Sequence, residues 1–283
     1  MLKNLMWLMN HPASQGRAFT VFAKWLYWQI RQRLTSKPMM IDFLHGTRLM
    51  VHPHEGLTGY WYLRRPDYEE LVFLERFLRP GDVFYDVGAN AGAYSVLAAG
   101  LGCRVVSFEP VPLTFSRLVE NAELNDVSRF SLRQYAIGSK SGTLRMSLHD
   151  GPGNHVLRDG ENVEFVEVDV TTLDNVVNEM PSATFIKADI EGFELEMLKG
   201  AVELMKSDRL AGFLIETFRP HNWQQENLRA IEAILRENGF MPYHFNVESN
   251  EIVPLENPQD GGNNTFYFRS RDLVKSRLAE IAK

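Results

Sequence analysis

The sequence predicts an α/β fold, a doubly wound and mostly parallel sheet with helices on both faces. Three observations predict it. Residues 83–110, VFYDVGANAGAYSVLAAGLGCRVVSFEP, read as an apolar strand, a glycine-rich turn, a helix and a second apolar strand that stops at Glu109-Pro110, the layout of a nucleotide-binding βαβ unit. Short apolar runs then alternate with helix-length stretches as far as residue 270, which implies parallel strands joined by helical crossovers. The 283 residues are 45% hydrophobic and 23% charged, enough apolar mass for one large core.

Residues 1–40 form an N-terminal extension. Within 17–34, RAFTVFAKWLYWQIRQRL, the residues Phe19, Phe22, Leu26 and Ile30 recur at helical spacing. Trp25 and Trp28 widen the apolar band, and Lys24, Arg31 and Arg33 add positive charge. Such a helix either packs on the remainder of the protein or on a second copy, forming a homodimer, or lies peripherally in a membrane interface. Residues 41–65 read as a β-hairpin and lid segment. Ile41 to Leu44 and Thr47 to Val51 flank His45-Gly46, and the aromatic Tyr60 to Leu63 can close over a pocket.

The sheet domain spans 66–270. Pro66 to Leu78 is a helix that stops before Pro80-Gly81. The series continues as strand 83–87, helix 92–100, strand 104–109, helix 112–124 and strand 130–137. An inserted hairpin follows at 142–149 and 163–168, turning at Gly151-Pro152-Gly153. Then come strand 183–189, helix 193–206, strand 211–217, helix 223–238, and strands 240–247 and 264–269. No helix separates the last two strands, so the final one is expected antiparallel beside its predecessor. Residues 271–283 form a helical tail.

The net charge of −6 is unevenly spread. Lys3, Arg17, Lys24, Arg31, Arg33 and Lys37 face no acid within residues 1–41, which leaves −12 for the rest of the chain. An acidic sheet domain is a poor nucleic-acid binder, and no nucleic-acid partner is expected. The single cysteine, Cys103, allows no intrachain disulfide, and one cysteine with scattered histidines makes no zinc pattern. No apolar run is long enough to span a bilayer, and Asn10-His11-Pro12 interrupts any secretory pattern. The expected location is cytoplasmic, with residues 17–34 as the segment for peripheral contact at the inner face of a membrane.

The glycine turn discriminates between nucleotides. A dinucleotide site wants G-x-G-x-x-G with a pyrophosphate on the helix start. Here the turn is Gly88-x-Asn90-x-Gly92, and Asp86 precedes it. A side chain at Asn90 and a negative charge at Asp86 both disfavour a pyrophosphate. They suit a phosphate-free, cationic adenosyl cofactor, S-adenosylmethionine. Asp86 is then expected to hold its ammonium, directly or through water, and Glu109 its ribose. Tyr94, Ser95 and Pro110 belong to the same expected contact surface.

DVGANAGAYS, FEP, the stretch NAELN at 121–125, TTLDNVV and FIKADIEGFELEMLKGA resemble, in order, the motifs of the FkbM-type family of S-adenosylmethionine-dependent methyltransferases. The resemblance runs from about Tyr68 to about Phe268. It implies a seven-stranded class I methyltransferase sheet and O-methylation of sugars or polyketide-type alcohols. It also implies that Asn125 and the Tyr135-Ala136 step border the adenine. The expected acceptor is a hydroxyl of a glycan, glycolipid or other secondary-metabolite alcohol. The alternatives are an NAD-dependent oxidoreductase on a Rossmann-like domain and a catalytically inactive cofactor-binding scaffold.

Four acids, Asp86, Glu109, Asp189 and Glu216, each end an expected strand, where ligands of such sheets sit. Lys187 and Asp189 alternate onto one face, and a lysine inside a central strand needs a carboxylate partner. Methyl transfer to an alcohol needs a group that takes up the proton. Asp189 is the first choice, with Glu216 and His221 behind it. Asp189 with Glu216 can instead hold Mg²⁺ through oxygen ligands. A plainer reading makes Asp189 a helix cap and Glu194 a first-turn acid. Glu191, Asn154 and His155 are the expected acceptor contacts, the last two from the polar segment Gly151-Pro152-Gly153-Asn154-His155.

Overall fold

The extension and hairpin lead in the computed structural model, which describes residues 2–148, 154–157, 161, 163–217 and 222–280. They comprise α1 (Leu2–Asn10), α2 (Ala18–Leu34), β1 (Met39–Asp42), β2 (Arg48–Val51) and α3 (Thr58–Leu63). The sheet domain opens with α4 (Tyr68–Phe77), β3 (Val83–Val87), α5 (Ala93–Gly100), β4 (Arg104–Phe108), α6 (Pro112–Glu123) and β5 (Phe130–Arg133). It continues with β6 (Ala136–Ile137), β7 (Gly142–Ser147), β8 (Phe165–Thr171), α7 (Leu173–Val177), β9 (Phe185–Ala188), α8 (Glu194–Lys199) and β10 (Gly212–Glu216). It closes with α9 (Asn222–Glu237), β11 (Met241–Asn246), β12 (Glu251–Pro254), β13 (Asn264–Phe268) and α10 (Arg271–Glu280).

Among the described residues the main sheet has eight strands in the order β12-β11-β13-β10-β9-β3-β4-β5. The five from β10 to β5 are parallel. β13 enters antiparallel between β10 and β11, as the missing helix before it implies. The eighth strand, β12, exceeds the expected seven. It is the return arm of a hairpin with β11, four residues long and mostly exposed, so it carries no apolar period to read.

Two further expectations need correction. Strand 130–137 is broken: β5 stays in the main sheet, whereas β6 joins β8 and β7 in a separate three-stranded sheet. The ladder stops because Glu109 N–H reaches Arg133 O and the next residue, Pro110, has no N–H to extend it. The inserted hairpin is therefore part of a small sheet, and its expected turn, Gly151-Pro152-Gly153, lies outside the described residues. Helix 193–206 is also shorter than expected, since α8 ends at Lys199. A Cβ on Gly200 would sit 2.1 Å from Gly138 O, and that close approach diverts the chain before a short turn at Leu204–Lys206.

Period-2 alternation splits the core between the two faces of the sheet. On one face Phe84, Phe185, Phe266 and Phe268 meet Phe73 and Phe77 of α4; Phe73 lies 4.4 Å from Phe266 between ring centroids. On the other, Tyr85, Phe108, Phe213 and Tyr267 meet Met197, Leu198, Leu235 and Phe240. Each aromatic pair adds about 0.5–1.5 kcal/mol beyond the burial of its area.

The hairpin is clamped onto α6. Asn121 Oδ1 accepts Met50 N–H at 2.6 Å, and Asn125 both accepts Arg48 N–H at 2.9 Å and donates to Arg48 O at 3.0 Å. The extension buries Val21 and Trp28 of α2 and rests on α3, where Lys24 Nζ lies 4.2 Å over the Trp61 ring. The stripe of Phe19, Leu26 and Ile30 faces outward instead. Among the described residues no helix is long and apolar enough to cross a membrane.

Candidate active site

A cavity of about 310 Å³ opens at the carboxyl ends of β3, β4 and β9. The glycine turn lines it. Gly88 has φ +74°, and a Cβ there would lie 2.0 Å from Asp189 O; no side chain fits. Gly92 precedes α5 at φ +89° with Leu118 close behind it. Asn90 adopts φ +51°, steadied by its own Oδ1, which accepts Ala91 N–H at 2.7 Å. Its backbone N–H donates to Glu109 Oε2, and Val111 N–H donates to Glu109 Oε1, both at 3.0 Å. Glu109 is thereby fixed at the cavity rim. Burial pushes its carboxyl up to about 7, against those two N–H bonds and the more distant Lys187.

Beneath the turn runs a polar row of the sheet. Asp86 is the register partner of Lys187 on one side and of Ser107 on the other. Ser95 Oγ donates to Asp86 Oδ2 at 2.6 Å and lies 2.7 Å from Ser107 Oγ. Lys187 Nζ donates to Gly88 O at 2.9 Å and sits 3.6 Å from Asp86 Oδ1 and 3.5 Å from Asp189 Oδ2. Burial opposes charge on this lysine, but Asp189 and Asp86 outweigh it and hold the ammonium above its ordinary range. Burial raises the Asp86 carboxyl, with Lys187 and Ser95 opposing.

Two expected cofactor contacts lie in this row. Asp86 is fully buried and is not among the residues that line the cavity, whereas Lys187, 3.6 Å from its Oδ1, does line it. Ser95 is likewise buried, bonded to Asp86 and close to Ser107. Lys187, Asp189, Glu191, Tyr94, Pro110, Ala136 and Asn154 do line the cavity.

The β9–α8 connection explains the local sequence. Glu191 (φ +55°) and Gly192 (φ +96°) take consecutive left-handed conformations. Buried Glu194 holds them by accepting Ile190 N–H and Gly192 N–H, each at 3.2 Å. Glu194 thus fills the capping role, while the Asp189 carboxylate turns to Lys187. Phe193, not Asp189, stands at the N-cap of α8.

Other expected residues lie elsewhere. Asn125 clamps the hairpin and does not border the cavity. His155 turns to Ser147 and Glu161 and does not line it either. Glu216 ends β10 beside β9 and is not among the residues that line the cavity. Among the described residues no group of three or more His, Cys, Asp or Glu is arranged to hold a metal ion, and Mg²⁺ finds no support. His221 lies outside the described residues.

The sequence reading missed Asp67. It precedes α4 in an N-cap position, yet its side chain makes no capping bond. Instead it lines the cavity and accepts the Tyr60 hydroxyl at 2.8 Å. Burial raises its carboxyl, against hydrogen bonds from Tyr60 and Tyr94. Glu70, one turn on, accepts Asn264 Nδ2 at 3.0 Å, and burial beside Asp67 pushes it up to about 7. The available signal was the pair Asp67 and Glu70, spaced as a capping box, beside a lid of aromatic residues.

Known proteins share this arrangement of motifs. The model of the Methyltransferase FkbM domain matches residues 86–242, more than half of the chain. The chain is 31% identical over 162 residues to the hexuronic acid methyltransferase AglP of Haloferax volcanii, covering 54% of this chain and 64% of that protein, so the match spans less than two thirds of that relative. It is 27% identical over 191 residues to methyltransferase sdnD of Sordaria araneosa, covering 55% and 72%. A solved methyltransferase FkbM from Methylobacillus flagellatus has 18% identity and a TM-score of 0.45, covering 75% of this chain and 52% of that one. The chain belongs to the FkbM methyltransferase family and carries its sites on an α/β fold of the class I methyltransferase kind.

Proposed function

We propose that the chain is an S-adenosylmethionine-dependent O-methyltransferase acting on a hydroxyl of a glycan, glycolipid or related small-molecule alcohol. The observation that carries this reading is Glu109, whose two oxygens are aimed by Asn90 and Val111 N–H at the rim of the glycine turn. A carboxylate so placed can accept both hydroxyls of a ribose. The residues also fit the charge of the donor. Asp86 and Asp189 flank a single Lys187, leaving net negative charge under the turn, which favours a sulfonium and an ammonium and opposes a pyrophosphate. A volume of about 310 Å³ is within the range of small-molecule sites.

The bound donor would supply an electrophilic methyl carbon on its sulfonium. The chain's own residues do the remaining work. Glu109 orients the ribose. Asp189, at the cavity wall, takes up the proton of the acceptor hydroxyl. Lys187, tied to Gly88 O, fixes Asp189 and keeps the glycine turn against β9. Leu57 and Tyr60 of the lid exclude water. A sugar acceptor is favoured by the name of the Haloferax relative, a hexuronic acid methyltransferase.

The test is transfer of a labelled methyl group from S-adenosylmethionine to a panel of hexoses, hexuronic acids and polyketide-type alcohols. Label in a sugar ether supports the proposal. Label in none of them, from protein that binds the donor, points to the inactive scaffold instead.

A further inference from the structure

We propose that the outer face of α2 docks the protein onto an anionic lipid surface. Phe19, Leu26, Tyr27, Ile30 and Leu34 share one face of this helix at its 3.6-residue period. Phe19 is 84%, Leu34 79%, Tyr27 52% and Ile30 50% exposed. These are large side chains on one stripe, not scattered surface residues. The helix does not need this stripe for its own packing: Val21 and Trp28, on the opposite side, are buried, and Lys24 and Arg17 bond the backbone of α3 at Trp61 and Tyr62. Exposed Arg33 in the last turn of α2 and exposed Lys37 just after it add positive charge at this end of the helix.

Charge selects the occupant. Residues 1–41 carry six basic side chains and no acid. A second copy meeting this face across a two-fold axis would set like charge against like. An anionic bilayer is complementary instead: its surface potential attracts lysine and arginine, while aromatic and aliphatic side chains enter the headgroup boundary. The geometry also links the docking helix to the cavity, since α3 carries Trp61 toward α2 and Tyr60 toward the cavity wall. The docking itself rests on the surface alone and stands apart from the methyl-transfer chemistry.

The experiment is co-sedimentation of the full chain with vesicles of phosphatidylcholine, with and without phosphatidylglycerol, at low and high salt. The expected result is binding to the phosphatidylglycerol vesicles that weakens with salt. Phe19→Glu combined with Ile30→Glu should lower it about tenfold or more, as should Arg33→Glu combined with Lys37→Glu, since each basic residue near the surface contributes about 1 kcal/mol. Circular dichroism and melting temperature should stay at wild-type values, because all four side chains are exposed. Three results would overturn the proposal: no sedimentation of the wild-type chain with phosphatidylglycerol vesicles, equal sedimentation of the folded variants, or a dimer in light scattering that the Phe19 and Ile30 substitutions dissolve.

Discussion

Phe84 and Phe185 face the same side of the central sheet as Asp86 and Lys187, two residues further along the same paired strands. The first pair stacks at 6.5 Å with its planes 10° apart and joins the phenylalanine cluster around Phe73. The second is a buried ion pair under the cavity floor. Strand, register and face are common to both, so the difference comes from where each row lies along the strands. The phenylalanine row is covered by α4 and contributes burial. The charged row sits at the carboxyl end, where burying an ion pair is a weak source of stability but holds a carboxylate and the glycine turn in fixed positions. One row supports the fold; under the proposed function the other supports the chemistry.

The largest effect that tests this contrast is on turnover. Asp189→Asn should slow methyl transfer by about 10²–10⁴-fold, the usual contribution of a positioned proton acceptor, far more than it weakens donor binding, with the melting temperature near wild type. Asp67→Asn should slow it less. The reverse order in single-turnover assays would move the proton-accepting role to Asp67.

Stability separates the two rows by its pH dependence. Lys187→Met leaves Asp86 buried without a cation and should cost about 3–5 kcal/mol in urea unfolding. Phe73→Ala should cost a comparable 3–5 kcal/mol through a cavity. The Asp86 carboxyl is already raised by burial, and loss of Lys187 raises it further. A carboxyl raised in the folded state binds its proton there before it does in the unfolded chain, so stability falls as pH rises through its folded value. The Lys187→Met deficit should therefore shrink toward acid pH, and the Phe73→Ala deficit should not. Parallel pH profiles for the two variants would erase the distinction.

A smaller effect concerns the donor. Glu109→Ala should weaken S-adenosylhomocysteine binding by about 1.5–3 kcal/mol, the range for hydrogen bonds to a charged group. Ribose hydroxyls donate to the ionised carboxylate, and the Glu109 carboxyl is raised to about 7 in the free protein. Binding should therefore tighten as pH rises through about 7, with proton release on the acid side. Glu109→Gln should flatten that dependence. Lys187 and Asp86, which also bear on Glu109, keep their environment in this variant.

Much of this was legible in the chain because strand period and turn chemistry are local. The stop of β3 at Gly88, of β4 at Glu109 and of β9 near Asp189 could be read from alternation and glycine spacing, and so could the shared face of Lys187 and Asp189. What escaped depends on contacts between distant segments. Asp67 resembles a helix cap until Tyr60 and Tyr94 fold over it. Asn125 resembles a site residue until Arg48, 77 positions earlier, takes up its amide. Asp86 lies on the expected strand, but it is buried while Lys187 beside it lines the cavity, and no spacing rule reveals that difference. The α2 stripe shows another limit. Its period marks a helix, yet period alone does not tell which side meets protein; Val21 and Trp28 do, and Phe19 does not.

The most direct measurement is calorimetric titration of the purified, folded chain with S-adenosylhomocysteine, set against the same titration with NADH. The account predicts saturable binding of the adenosyl compound at one site per chain, weakened by Glu109→Ala, and no comparable binding of NADH. Silence with the adenosyl compound, or tighter binding of the dinucleotide, would contradict it.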